Sequence, residues 1–588
     1  MDNRDEIISV PYPLFGGTND SDYLVLALDF GTTFSGIAYA LTSDPDEIHS
    51  VYSWPGVNGR DFPKVPTVVQ YGPESNARIK WGYQLDQTLE EKIIGLKLLF
   101  DPNQKYPYTI PNDLKTDIDS LPKPVDEIAA DYIRCIFEHA LNEIKNAYMD
   151  EFIMDLKKKY ILTVPAIWSD AAKAKLGRAA RRAGISPADM ITEPEAAALY
   201  TLKTMKDKGL KDGDTIVICD AGGGTVDLIS YEILSLNPFI VEALTIPSGG
   251  AYGSLMLTRA FEDHVRQTVG DSVFAGLRKT PAYHSAVREF EVLHKPSFNG
   301  LDQSDKYINF PMANLRDDRE KGLINNTIIL TRKFMFYMFD PIIQRIEALV
   351  SDQVRDAQIE RLRKGRRGNP AVKAVFLVGG FGTSPYLRER IQSSNTEIMI
   401  VQPNEAWSAV AKGAVMSKLP AVPRRPRIVS AKAAKHYGTV YHSNWEGLRD
   451  KGQTKRQYKY WAGDRCDLMR WLIYKEDELA RGKKNAFELT QKFPGHNPQP
   501  RDLRIEHELF ESVTDFPSTH PNKNTSINCR LVVDLSSIPK ESLKLKELDG
   551  DPYCQVTFSL LLENLPSGLM RFSIRIDGKE YSAVEAKY

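Results

Sequence analysis

At 588 residues the chain exceeds one ordinary hydrophobic core, because single cores stop growing near ~250 to 300 residues, so about two to four domains are expected. With 42% hydrophobic and 26% charged residues the composition is globular and excludes a largely disordered chain. The 76 lysines and arginines nearly cancel the 77 aspartates and glutamates, so no global field favours a nucleic acid or an anionic membrane as partner.

In chain order, residues 1 to 21 read as a flexible tail whose MDNRDEIISVPYPLFGG holds no apolar run long enough for a signal peptide. LVLALDFG then reads as a buried strand running into a glycine turn, and FSGIAYAL as a second strand that closes a hairpin. Val125, Ile128, Tyr132, Ile136, Ala140 and Ile144 recur at helical steps and predict an amphipathic packing helix. YILTVPAIW follows as a strand, SDAAKAKLGRAARRAG as a helix, and ITEPEAAALY sets Glu193 just ahead of an alanine-rich helix. DTIVICDAGGG and TVDLISYEI repeat the first hairpin about 190 residues later, a spacing that predicts a duplicated, two-lobed domain with a cleft and not a solenoid of short repeats. AVFLVGGFGTSPYLRERI is a strand, a turn and a helix, with Ser384 as cap and Pro385 at the first helical position.

Beyond about residue 420 the proline-rich, basic LPAVPRRPRIV reads as a linker. Residues 425 to 588 are expected to form a separate, mainly β domain with one helix near DRCDLMRWLIY. The five cysteines lack metal-ligand spacing and are expected to be reduced and mostly buried, and no ~18-residue apolar run occurs, so a cytosolic or nuclear compartment is the expectation. The run RLRKGRRGNP reads as a solvated loop and the ten histidines as surface or core residues.

Two glycine turns, each ending a buried strand at an aspartate, offer backbone N–H groups to a polyphosphate with no side chain in the way. Gly31, Thr32 and Thr33 would form one jaw and Gly222, Gly223, Gly224 and Thr225 the other. Asp29, Asp220 and Asp227 would face a magnesium ion, since hard oxygen ligands suit it and it keeps several waters beside substrate phosphates. The expected ligand is therefore Mg–ATP. GGFG, starting at Gly379 and Gly380, adds a third turn able to approach the adenosine.

LALDFGTTFSGIAYAL, TVPAIWSD, ITEPEAAALY, VICDAGGGTVDLISYEI, VFLVGGFGTSPYLRERI and EAWSAVAKGAV together resemble the ATPase signature of the actin, hexokinase and heat-shock superfamily. Their order is similar to that of the seventy-kilodalton heat-shock (DnaK-like) family, in a divergent branch, over about residues 23 to 418. The resemblance implies an α/β, two-lobed actin-like (ribonuclease H-like) ATPase domain over residues 22 to 420, divided near 214/215, followed by the smaller β domain. It also implies bound ATP or ADP with Mg2+ and a catalytic set of Asp29, Glu193, Asp220, Asp227 and a lysine, for which Lys97 is preferred to Lys92. Asp29 and Asp220 would hold the metal largely through water, Glu291 and Lys295 would contact adenine, and Gly379 and Gly380 would form the adenosine turn.

The function so implied is a slow ATPase and chaperone-like switch whose C-terminal domain binds an unfolded or specific polypeptide, with co-chaperones as further partners. A nucleotide-binding scaffold without turnover, a small-molecule kinase and an actin-like filament are the rivals. GGAYGSLML, the proline-arginine linker and the absence of an expected helical lid and acidic tail depart from the family, so altered coupling between the domains is the expectation.

Overall fold

The computed structural model describes residues 22–588 except 58, 73–78, 86–91, 102–120, 149–151, 206–208, 367–368, 421–424 and 582–583. The expected N-terminal tail lies outside the described residues.

The two hairpins read from the sequence are the centres of two large mixed sheets. Strands β1 (Tyr23–Asp29) and β2 (Phe34–Leu41) pair antiparallel, and β3 (Lys157–Val164) lies parallel to β1. Helix α1 (Val125–Tyr148) precedes β3, and all six residues of its predicted apolar stripe are buried. Helix α2 (Asp170–Arg182), capped by the Ser169 hydroxyl on the Ala172 amide, leads to β4 (Ala188–Thr192), which pairs parallel to β3. Helix α3 (Glu193–Met205) follows at once.

The second sheet repeats that topology. Strands β5 (Thr215–Ala221) and β6 (Val226–Leu236) form its hairpin, and β7 (Phe239–Ala243) extends it beside β6. After the long helix α4 (Arg332–Arg363) come β8 (Val372–Val378), helix α5 (Pro385–Ser394) and β9 (Met399–Val401). Strand β8 lies parallel to β5, as β3 does to β1, and β9 parallel to β8. The Ser384 hydroxyl caps α5 on the Leu387 amide, with Pro385 at its first position, as the sequence predicts.

The central strands are apolar on both faces because each face meets a different layer. On β1, Leu24, Leu26 and Leu28 face the core of α1 and α2, whereas Val25 and Ala27 face a second core. On β5, Ile216 and Ile218 face that same second core, and Val217 and Cys219 turn to the core of α4. The layer shared by the two sheets consists of α3 and helix α6 (Ala409–Met416). Small residues let these helices touch: a Cβ on Gly413 would collide with the Ala196 carbonyl.

Residues from His436 onward form two five-stranded antiparallel sheets. Leu509, Leu531 and Val533 from one share a core with Val556, Phe558, Leu560 and Ile574 from the other. The helix expected near DRCDLMRWLIY is instead the strand Arg465–Ile473. Its apolar residues fit either period, and antiparallel pairing with His436–Asn444 decides for the strand.

The described part of the linker is docked. Arg425 is buried with its guanidinium on the Pro45 carbonyl, and Arg427–Ile428 adds a short parallel strand to β7. The basic run is likewise engaged: Arg361 is buried beside Glu232, while Lys364 and Arg366 reach Glu242 at 2.7 and 2.5 Å. Four of the five cysteines are buried and all are free thiols. Among the described residues no helix is long and apolar enough to cross a membrane.

Candidate functional site

The two glycine loops meet face to face. A Cβ on Gly223 would run into the Thr33 side chain, and one on Gly224 into Thr32, so only glycine permits the approach. The carbonyls of Gly222, Gly223 and Gly224 are taken by the amides of Ser254, Leu255 and Gly253, at 3.1, 2.8 and 3.1 Å. This fixes the second loop against the GGAYGSLML segment. The amides of Gly31, Thr32 and Thr33 and those of Gly223, Gly224 and Thr225 donate to no acceptor among the described residues. Buried or half-buried N–H groups are nearly always paired, so six such donors on two facing loops are chemically suited to an anion.

Acidic side chains gather beside that gap. Asp29 ends β1, with its carboxylate on Lys64 Nζ at 2.5 Å and on the Thr163 hydroxyl at 3.2 Å. Asp220 is the last residue but one of β5 and pairs with Asp227, the second residue of β6, which accepts from the amides of Ala166 (2.9 Å) and Ile167 (3.4 Å). Glu193, at the start of α3, is ion-paired with Lys97, and both are buried. Four carboxylates thus share one buried space with two ammonium groups.

The electrostatics follow from that excess of negative charge. Burial pushes Asp220 up to about 7, and the charges of Asp29 and Asp227 act in the same direction. Burial also drives Glu193 up to about 8, against the pull of Lys97. Lys97 is pushed down by burial, but Glu193, Asp29 and Asp227 outweigh that and hold it above its ordinary value. A dication would relieve the repulsion, and the hard carboxylate oxygens fit magnesium. The only trio of described residues whose ligand atoms gather within 4.8 Å is Asp450, Cys466 and His520, far along the chain. There Asp450 is already saturated by Arg449, the Glu446 amide and His520.

Of the two candidate lysines, Lys97 reaches the carboxylates, whereas Lys92 lies half-buried with Glu291 and Glu262 as its charged neighbours. Lys64 and Thr163 were missed in the sequence, since neither belongs to a repeated motif. The signal for Lys64 is indirect: its stem lies over Gly36, where a Cβ would stand 3.0 Å from Lys64 Cγ.

Glu291 and Lys295 are not drawn into this cluster. The Thr258 hydroxyl donates to Glu291 at 3.0 Å and accepts from Lys295 at 3.1 Å, and the two charges lie 3.6 Å apart. Gly379 and Gly380 lie beside it. A Cβ on Gly379, at φ +80°, would strike the Asp220 carboxylate, and one on Gly380 would stand 3.5 Å from Trp407 Nε1. The glycines admit protein neighbours at those faces.

Two residues past Glu193, Glu195 is buried and receives Arg481 at 2.6 Å from the turn after the short strand Glu478–Ala480. The Thr192 amide donates to the Pro566 carbonyl at 3.3 Å, and Asp170 accepts from Asn528 (2.7 Å) and Tyr437 (3.3 Å). One helical turn therefore touches the acidic cluster on one side and the β-sheet unit on the other.

A family model described as Hsp70 protein matches residues 103–419. The chain belongs to the Hsp70 family. That match begins after the first glycine loop, whose assignment rests on its own residues and on its mirror at β5. Heat shock 70 kDa protein 12A of Homo sapiens is 25% identical over 495 residues, covering 68% of this chain and 70% of that protein. Heat shock 70 kDa protein 12B of Homo sapiens is 26% identical over 483 residues, covering 67% and 68%. The chaperone protein dnaK of Gracilaria tenuistipitata var. liui is 25% identical over 385 residues, which span 63% of this Hsp70 family member and 56% of dnaK. The mixed α/β architecture agrees with the actin-like ATPase fold of the family.

Proposed function

We propose that this protein is a slow, magnesium-dependent ATPase whose two sheets act as lobes closing on ATP, and whose C-terminal β unit binds a polypeptide. The observation that carries the reading is the pair of facing loops with six unpartnered amides beside four carboxylates and two lysines. Backbone donors in that arrangement suit the oxygens of a polyphosphate.

Magnesium arriving with the nucleotide would neutralise phosphate charge, with Asp29 and Asp220 holding it largely through water. Lys97, locked by Glu193, presents a fixed positive charge in a water-poor site, where charge stabilisation is strongest. Lys64 and Thr163 hold Asp29 in one orientation, and the Ala166 and Ile167 amides do the same for Asp227. Catalysis of this kind rests on positioning and preset charge.

The contact of Glu195 with Arg481 supports coupling of the cleft to the β unit, in place of the usual acidic linker. A polypeptide partner is supported by Leu448, Val513 and Phe516, which are exposed on loops joined through the 2.9 Å bond between His520 and Asp450. Co-chaperones would act on the same cycle.

Incubating the purified protein with labelled ATP, with and without unfolded peptides and a panel of sugars, tests the reading. Phosphate release that rises with peptide is the expected result. Transfer to a sugar would identify a small-molecule kinase, and binding without any turnover a scaffold.

A further inference from the structure

The GGFG turn, expected to approach the adenosine, has an indole edge beside it at Gly380. Trp407 stands between the two parts of the site. Its ring packs edge-on against Phe34, the residue after Thr33, with centroids 5.6 Å apart at 75°. Its Nε1 edge faces Gly380, where a Cβ would stand 3.5 Å from Nε1 and 3.7 Å from Cδ1.

The side chain is half-buried, and its N–H meets no acceptor among the described residues, although a tryptophan in such a place usually finds one. The segment carrying it is rigid. The Gly379 amide donates to the Ala406 carbonyl at 3.1 Å, and Gln402 Nε2 to the Gly382 carbonyl at 2.7 Å. Glu405 is held by Tyr200 and, at 2.7 Å, by Lys412. The indole is therefore preset before any ligand arrives.

We propose that Trp407 is the nucleoside-contacting wall of the cleft, its indole offering a ring face and an N–H to the base and ribose of the bound nucleotide. The inference rests on the nucleotide-binding reading above. A nucleobase has a π-face whatever its edge pattern, so an aromatic wall selects for a base without reading its identity.

The test compares binding of Mg–ADP and of magnesium tripolyphosphate, which has no nucleoside, to the full chain and to Trp407→Ala and Trp407→Phe. Mg–ADP is expected to change the intrinsic fluorescence of the wild type, and Trp407→Phe to remove most of that change while keeping most of the affinity. Trp407→Ala is expected to weaken ADP by about tenfold, within the range of one lost base–aromatic stack, and to leave tripolyphosphate unchanged. Equal ADP affinity in wild type and Trp407→Ala, equal loss for both ligands, or an undiminished fluorescence change in Trp407→Phe would overturn the inference and leave the nucleotide site standing. A wild-type protein that binds neither ligand would overturn both.

Discussion

Replacing Asp220 by asparagine should stabilise the ligand-free protein while removing its response to Mg–nucleotide. Asp220 is raised from 3.8 to about 7, chiefly by burial and then by Asp29 and Asp227. A carboxyl whose folded-state value is raised binds its proton more tightly folded than unfolded, so the folded state loses stability as pH climbs from about 4 to about 7. At ~1.4 kcal/mol per tenfold the full cost above that window is about 4 kcal/mol, and sharing of charge among the cluster reduces it to the order of 1–3 kcal/mol. Asparagine keeps the shape and carries no charge, so it recovers that amount at pH 8 and nothing at pH 4.

Melting curves of ligand-free wild type and Asp220→Asn at both pH values provide the assay. For large domains ~1 kcal/mol corresponds to about 2–4 °C, which predicts a variant several degrees more stable at pH 8 and a gap that closes at pH 4. Mg–ADP should raise the wild-type transition and leave the variant's in place. A variant less stable than wild type at pH 8, or a gap independent of pH, would refute the claim that the acidic cluster carries excess negative charge.

Lys97→Met should lower turnover by ~10²-fold or more with nucleotide binding retained, read by single-turnover phosphate release, because it removes the fixed positive charge beside Glu193. Gly224→Ala should weaken Mg–ADP binding by about tenfold or more, and adding Thr32→Ala should restore part of it in a double-mutant cycle, since the new methyl collides with Thr32. Arg481→Ala leaves Glu195 buried without its partner and should cost about 3–5 kcal/mol in thermal or denaturant unfolding, with peptide stimulation of the ATPase lost. Arg481→Lys should not recover the stimulation, because one arginine serves both Glu195 and the Leu565 carbonyl through separate nitrogens.

Local and repeated features were legible without coordinates. The apolar runs at Leu24–Leu28 and Ile216–Ile218 announce strands buried on both faces, and the stripe from Val125 to Ile144 announces one face of a helix. The glycine-aspartate turns were readable because two copies of one rare pattern in a single chain point to a common task. The cap at Ser384 is a purely local hydrogen bond, so its signal lies within four residues.

What could not be read depends on residues far apart in sequence. Lys64 reaches Asp29, Thr163 reaches it from the neighbouring strand, and Lys97 meets Glu193 only because two sheets and α3 converge there. Lys92 and Lys97 are indistinguishable as letters; burial beside acidic side chains separates them. The strand at Arg465–Ile473, the docked Arg427–Ile428 and the indole over Gly380 were decided by which partner lay opposite, a choice that local propensity does not encode. The sequence thus determined the buried central strands, the helix from Val125 and the two glycine turns beside aspartates, through periodicity and backbone chemistry. Tertiary packing alone decided which charges face one another, because charge pairing is set by distance in space and not by distance along the chain.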